Sequence, residues 1–255
     1  MPIRSLSPEV RTLTERSWIN KRARYFLSPF LSPLKHNWLL RKYRMNSYPH
    51  SFEFNWSDTH FNRIALINLL LSKYSKPSYL EIGCASNSLF DSLPIVNKIG
   101  VDPHLGGNRR MTSNEFFKIN TKIYDVVFID GLHTYEQVRQ DLTNALKVTK
   151  AGGWIAIHDM LPKDWIECHI PIISTGSWTG DVWKLGFELT NSKIFDFKII
   201  KIDMGIGLIK VTDRNLRLKN DMPELKVANF EYLYMNFDKL PVIEWDKAKK
   251  WIDNA

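Results

Sequence analysis

Residues Tyr124–Met160 read YDVVFIDGLHTYEQVRQDLTNALKVTKAGGWIAIHDM and form a complete strand, helix, strand unit with its polar residues gathered at one end. Asp125 to Ile129 is a short, β-branched apolar run of the kind buried on both faces of a parallel sheet, and it stops at Asp130-Gly131. Thr134 and Gln137 have the T-x-x-Q spacing of a capping box and predict a helix start. Tyr135, Val138, Leu142, Ala145 and Leu146 then make one apolar stripe, with Arg139, Gln140, Asp141 and Lys147 on the wet side. Lys147 and Lys150 suit the negative end of that helix, and Gly152-Gly153 is expected to supply a left-handed stop. Trp154 to Ile157 is the next buried strand and ends in His158-Asp159. In a parallel sheet the carboxyl ends of successive strands share one edge, so Asp130, His133, His158 and Asp159 are expected to converge in a crevice there.

The rest of the chain surrounds this unit. At 255 residues, 44% hydrophobic and 24% charged, the composition is that of a globular α/β protein with extensions, and no apolar run approaches a membrane-spanning length. Two cysteines, Cys84 and Cys168, are too few for a disulfide framework or a thiolate zinc site, which points to a reducing compartment. The first residues lack the apolar core of a secretory signal, and a cytoplasmic location is expected.

Charge divides the chain. Residues 1–50 hold ten Lys/Arg against Glu9 and Glu15, which accounts for the whole net charge of +8. There Trp18, Tyr25, Phe26, Phe30, Trp38 and Tyr43 alternate with basic residues, and Pro29 and Pro33 divide the arm into two short helices. One reading is a surface for anionic lipid or nucleic acid; another is an arm that packs on its own domain or on a second copy of the chain, giving a homo-oligomer; a third is a cleaved organelle transit segment. The organisation expected is this arm at 1–50, an α/β domain at 51–213 and a helical extension at 214–255.

Ser57-Asp58 offers a helix start for the almost wholly apolar FNRIALINLLLSKY, which is expected to lie against the sheet. Tyr79 to Gly83 is a strand running into Cys84-Ala85-Ser86-Asn87-Ser88, and Lys98 to Val101 is the next, ending at Asp102. The separation of Gly83 from Asp102 is near the ~20 residues that part a glycine turn from a ribose-binding carboxylate in nucleotide-binding units. Gly83 stands alone, however, where a dinucleotide pyrophosphate wants three glycines. A dehydrogenase is therefore disfavoured, and a nucleoside cofactor without phosphates is not.

Taken in order, Glu81-x-Gly83, Asp102, Asp130-Gly131-Leu132-His133 and Gly152-Gly153-Trp154-Ile155-Ala156-Ile157-His158-Asp159 resemble the class I S-adenosylmethionine-dependent methyltransferases, in the group with D-G-x-H and G-G-x-x-x-x-H-D. The resemblance spans about Tyr79 to Pro162 and extends more loosely to residue 212. It implies a Rossmann-like, seven-stranded, mostly parallel sheet with helices on both faces and a terminal antiparallel hairpin. Phe195 to Ile202 and Ile206 to Val211, joined by Asp203-Met204-Gly205, suit that hairpin.

The resemblance also assigns roles. Gly83, Cys84, Ala85, Ser86 and Asn87 would pass beneath the methionine part of S-adenosylmethionine with Glu81 orienting the loop, Asp102 would receive the ribose hydroxyls, and Thr112-Ser113 would contact the adenine, with Asp130 also near the cofactor. His133, just before the helix cap at the mouth of the crevice and with an ordinary pKa of about 6.5, suits the base for a hydroxyl acceptor, a small molecule or sugar, between Asp130 and Asp159, or alternatively only hydrogen-bonds the cofactor's edge or the loop. Asp130 and Asp159 match positions that bind magnesium or another divalent ion in related O-methyltransferases, whereas His158 and Met160 stand where a further oxygen ligand would be. Ser113 alternatively only starts a helix, and Glu81 only caps an amide. A nucleic-acid acceptor is disfavoured by the lack of N/D-P-P-Y/W or a pair of catalytic cysteines. The thinned glycine loop keeps open a catalytically inactive cofactor-binding or scaffold protein of the same fold.

Between Asp159 and the hairpin, Thr179 or Asp181 is expected to cap a helix through Leu189, and Trp165, Trp178 and Trp183 either wall the crevice or cover the sheet edge. Two further helical patterns, around Phe230 and Trp251, flank Pro241 and are expected to dock by packing alone.

Overall fold

The computed structural model describes residues 33–219 and 222–255. Most of the basic arm, residues 1–32, lies outside them, and with it the first of its two expected helices. The second begins at Pro33, where a missing amide hydrogen costs nothing: α1 (Pro33–Lys42). The elements that follow are α2 (Arg63–Leu71), β1 (Tyr79–Ile82), β2 (Lys98–Val101), α3 (Ser113–Ile119), β3 (Tyr124–Ile129), α4 (Tyr135–Val148) and β4 (Thr149–Ile157). Then come α5 (Trp183–Ser192), β5 (Asp196–Ile200), β6 (Ile206–Val211), α6 (Phe230–Met235), β7 (Val242–Ile243) and α7 (Trp245–Asn254).

One seven-stranded sheet runs in the order β2-β1-β3-β4-β6-β5-β7. The first four strands are mutually parallel, β6 is antiparallel to both β4 and β5, and β7 is parallel to β5. Alternation along each strand sends side chains to two cores. Ile155, Ile157, Ile209 and Val211 join the apolar stripes of α4 and α5, while Trp154, Ala156, Ile206 and Leu208 meet Leu66, Ile67 and Leu70 of α2 and Ala248 and Ile252 of α7. Helices thus cover both faces. The chain leaves β1 for β2 on one side and reaches β3 on the other, so the carboxyl ends of β1 and β3 border the crevice at a topological switch point.

Several local expectations differ from what is observed, among them Asp141, which is buried under the Gln137 side chain and not on the wet side of α4. The cap of α2 is Asn62, whose side chain accepts from the amides of Ile64 and Ala65, and not Ser57-Asp58, which sit in a separate short turn of 3-10 helix. Thr134 accepts from the Gln137 amide at 3.4 Å, but the Gln137 side chain turns to Ser113 and Asp141 instead of completing the box. Gly152 does not stop α4, because Thr149 is already extended and opens β4. The glycines form a bulge: Tyr124 pairs with Thr149 and Val126 with Trp154, so residues 150–153 loop out, and Lys150 closes the bulge by pairing with Asp125 at 2.8 Å. Finally, the extension contributes more than packing. Ile199 and Lys201 donate to the carbonyls of Pro241 and Ile243, making β7 the seventh strand of the sheet.

Among the described residues, no helix is long and apolar enough to cross a membrane.

Candidate active site

Four strand ends and one helix start meet at the carboxyl edge. Gly83 follows β1, Asp130 follows β3, His158-Asp159 follow β4, the turn Asp203-Met204-Gly205 joins β5 to β6, and Arg63 opens α2. Gly83 has φ +86°, and a Cβ there would strike the carbonyl of Asp130, so the close approach of the β1 and β3 ends requires glycine. The cleft they enclose has a volume of about 460 Å³ and reaches from Glu81 and the Gly83–Ser86 loop to Asp130, His133 and Asp159. That is room for a small ligand.

His133 is held from both sides. Its Nδ1 lies 2.7 Å from Asp159 Oδ2 and 3.0 Å from the Trp178 carbonyl, its Nε2 lies 3.2 Å from Asp130 Oδ1, and the Trp178 ring stacks on it at 5.3 Å. His158 Nδ1 lies 3.0 Å from Asp159 Oδ1 and 3.4 Å from Asp130 Oδ1. Burial alone would raise the carboxyls of Asp130 and Asp159; the imidazoles of His158 and His133 outweigh it and hold both well below the usual carboxylate range.

His158 itself is pulled two ways. Burial disfavours its charged form, and the Asp159 and Asp130 carboxylates more than offset this and push it upward. Yet Arg63 Nη1, which can only donate, stands 2.8 Å from His158 Nε2. The same Nη1 lies 3.3 Å from Nδ1, so the guanidinium stands against the ring and not on the lone pair of one nitrogen, and the neighbouring carboxylates keep the imidazole's proton affinity raised. Arg63 is further fixed by its backbone amide, which donates to Asp203 Oδ2 at 3.0 Å.

The other expected site residues divide into two groups. Glu81, Gly83, Cys84, Ala85 and Ser86 line the cleft. Glu81 is buried and accepts from the Tyr79 hydroxyl at 2.7 Å; burial pushes its carboxyl up to about 7. Asn87, Asp102 and Ser113 lie outside the lining. Asn87 Oδ1 takes the Gly107 amide at 2.6 Å. Asp102, 2% exposed, accepts from the amides of Cys84 and Ala85 through one oxygen and from those of His104 and Leu105 through the other. Its carboxylate is thus a clamp between the loops after β1 and β2. Ser113 is the first residue of α3, behind the Thr112–Glu115 capping box.

Of the three tryptophans in the long connection, Trp178 walls the cleft, Trp183 is buried in the core, and Trp165 packs edge-on against His169. Asp181 caps a helix other than its own: its Oδ1 receives the Tyr135 amide at the start of α4 at 2.6 Å. That bond seats the connection over His133. Arg63 and Asp203 were not singled out by the sequence. The only signal for either was a lone basic residue in an apolar helix and an acid in a hairpin turn.

Residues 94–160 match the family model of a methyltransferase domain, 67 of the 255 residues. No curated protein matches the chain in sequence. Among solved structures, the N-methyltransferase NodS from Bradyrhizobium japonicum WM9, in complex with S-adenosyl-L-homocysteine, is 17% identical over 42% of this chain and 69% of its own, with a TM-score of 0.30. MycE from the mycinamycin biosynthetic pathway, in complex with Mg, S-adenosylhomocysteine and mycinamycin VI, is 15% identical over 71% of this chain, with a TM-score of 0.42, and the match spans about half, 55%, of its length. A methyltransferase of Podospora anserina with bound S-adenosylhomocysteine is 13% identical over 72% of this chain and 97% of its own, at a TM-score of 0.41. The matched stretch runs from just before β2 to just past the end of β4, so it holds the Asp130 and His158-Asp159 side of the crevice and not the Gly83 loop; over these residues the chain is similar to a methyltransferase domain.

Proposed function

We propose that the protein transfers a methyl group from S-adenosylmethionine to a hydroxyl of a polar small molecule or sugar, with His133 as the base. The observation that carries this reading is the setting of His133: Nδ1 fixed by Asp159 at 2.7 Å, Nε2 turned to Asp130 at 3.2 Å, on the wall of the cleft that the Gly83 loop also lines.

The cofactor fits the residues present. Glu81, Asp130 and Asp159 line the cleft, and a cationic ligand matches that acidic lining. Bound there, S-adenosylmethionine supplies an electrophilic methyl carbon on positive sulfur. The protein's task is alignment, worth roughly 7–11 kcal/mol of barrier, and removal of the acceptor's proton, worth about 10²–10⁴-fold. Asp159 holds the His133 ring by receiving Nδ1–H, Nε2 takes the proton of a hydroxyl seated between it and Asp130, and Asp130 stabilises the imidazolium that forms. The Trp178 ring stacks on His133 and restricts its rotation.

A divalent ion also fits. Asp130, His133 and Asp159 each offer an atom within 4.8 Å of the others, and buried Asp159 Oδ1 has no hydrogen-bond donor aligned on it. Such an ion supplies positive charge that acidifies a hydroxyl. The imidazole moves the preference from magnesium toward transition ions. A His133 bound to metal has no lone pair left for a proton, so the two activations exclude each other at that nitrogen.

The test follows released S-adenosylhomocysteine over a panel of phenolic and sugar hydroxyl acceptors. His133→Ala is expected to lower turnover by about 10²–10⁴-fold with S-adenosylhomocysteine affinity unchanged, and chelator is expected to leave the wild type active. Abolition by chelator with His133→Ala active would replace the base by a metal. Turnover unaffected by either would remove the chemistry from this edge.

A further inference from the structure

The cleft is rich in acid. Glu81, Asp130 and Asp159 line it, and Asp203 stands behind His158 with its Oδ1 3.5 Å from Nε2. Against these four carboxylates, Arg63 is the one permanently charged cation among the described lining residues. The fold spends several features on placing it. Asn62 caps α2 so that Arg63 begins the helix at the rim, and Asp203, in a left-handed turn at φ 47°, receives the Arg63 amide at 3.0 Å and faces its Nε at 3.6 Å.

The manner of pairing separates Arg63 from a structural arginine. Arg139 closes a fork on Glu188, with Nε and Nη2 at 2.9 and 2.8 Å from the carboxylate. Arg63 closes none. Its approaches to Asp130 Oδ2 and Asp203 Oδ2 are both 3.6 Å, ion-pair distances beyond hydrogen bonding, and its short contacts are both to the His158 ring, 2.8 Å to Nε2 and 3.3 Å to Nδ1. The guanidinium therefore stands among the acids without being consumed by any of them. Burial works against its charge, and Asp130, Asp203, Asp159 and Glu81 more than offset that.

We propose that Arg63 is the resident cation of the acceptor pocket and competes with a divalent ion for Asp130, so that the chain carries in its own sequence the positive charge a metal would bring. The proposal rests on the acceptor pocket described above. Asp130 faces Arg63 through Oδ2 and the two imidazoles through Oδ1, so one carboxylate is shared between the candidate ion site and the guanidinium. A fixed positive charge this close disfavours a second one. Arg63 would also meet the negative oxygen of a deprotonating acceptor.

The test is manganese titration of the full chain, followed by electron paramagnetic resonance. Arg63→Met is expected to bind Mn²⁺ at least tenfold more tightly than the wild type, Arg63→Lys to stay near the wild type, and Asp130→Asn added to Arg63→Met to cancel the gain. Equal affinity in wild type and Arg63→Met overturns the proposal, as does a gain that survives Asp130→Asn or the absence of binding in every variant. Far-UV circular dichroism monitors folding, and Arg63→Gln replaces the methionine variant if that one does not fold. Calorimetry with S-adenosylhomocysteine on the same wild-type sample tests the methyltransferase reading separately: failure to bind it would sink that reading and leave the competition between Arg63 and Mn²⁺ to stand or fall on the resonance data.

Discussion

Replacing Glu81 by Gln should make the protein more stable, and only above about pH 5. Glu81 is 2% exposed, and burial pushes its carboxyl from the ordinary 4.5 up to about 7. Between those two values the folded state holds a proton that the unfolded state has lost, so this residue makes stability fall as pH rises through that window. At about 1.4 kcal/mol for each tenfold, the full difference is about 3 kcal/mol, complete by pH 8. Glutamine removes the charge and keeps an oxygen for the Tyr79 hydroxyl, which donates to Glu81 at 2.7 Å. The variant should therefore gain about 3 kcal/mol over the wild type at pH 8, or roughly 6–12 °C in Tm, and nothing at pH 4.5. Urea unfolding of both proteins across this range gives the difference directly, and the acid-side losses from Asp130 and Asp159, whose folded pKa values are depressed, are common to both and cancel. A difference that stays constant from pH 4.5 to 8 would refute the reasoning.

Two further outcomes follow from the same edge. Cofactor binding near pH 7 should release protons from Glu81, because a cation in the cleft favours its ionised form; the calorimetric heat should then depend on the ionisation enthalpy of the buffer in the wild type and not in Glu81→Gln. Asp102→Ala should weaken S-adenosylhomocysteine by at least tenfold and, since it frees four backbone amides at once, should also speed proteolysis in the loops after β1 and β2. Weakened binding with unchanged proteolysis would mean that Asp102 acts on the ligand itself.

The sequence displayed the strand, helix, strand unit because both its strands are buried on two faces and its helix carries one clean stripe, patterns that local composition records. It also showed that Asp130, His133, His158 and Asp159 share an edge, since parallel strands leave no other arrangement. Asp102 was recognised as a residue of consequence, but its partners are backbone amides, which every residue has and no motif displays. Arg63 and Asp203 were missed for a different reason. They lie 95 residues before and 45 after His158 and reach it from a helix start and a hairpin turn, so only the assembled sheet brings them together. The Gly152-Gly153 pair was a true signal with two readings, and the early start of β4 chose the bulge over the helix stop.

The strand that completes the sheet sits near the far end of the chain, and this orders events during synthesis. While residues up to about 213 emerge, the outer edge of β5 offers the amides of Ile199 and Lys201 to any extended segment nearby. Pro241 and Ile243 cover that edge only after about thirty further residues have been translated. A nascent chain halted in that interval carries a finished cleft beside an adhesive flank, and its fate then depends on which extended segment arrives first, its own or that of a neighbouring ribosome's product.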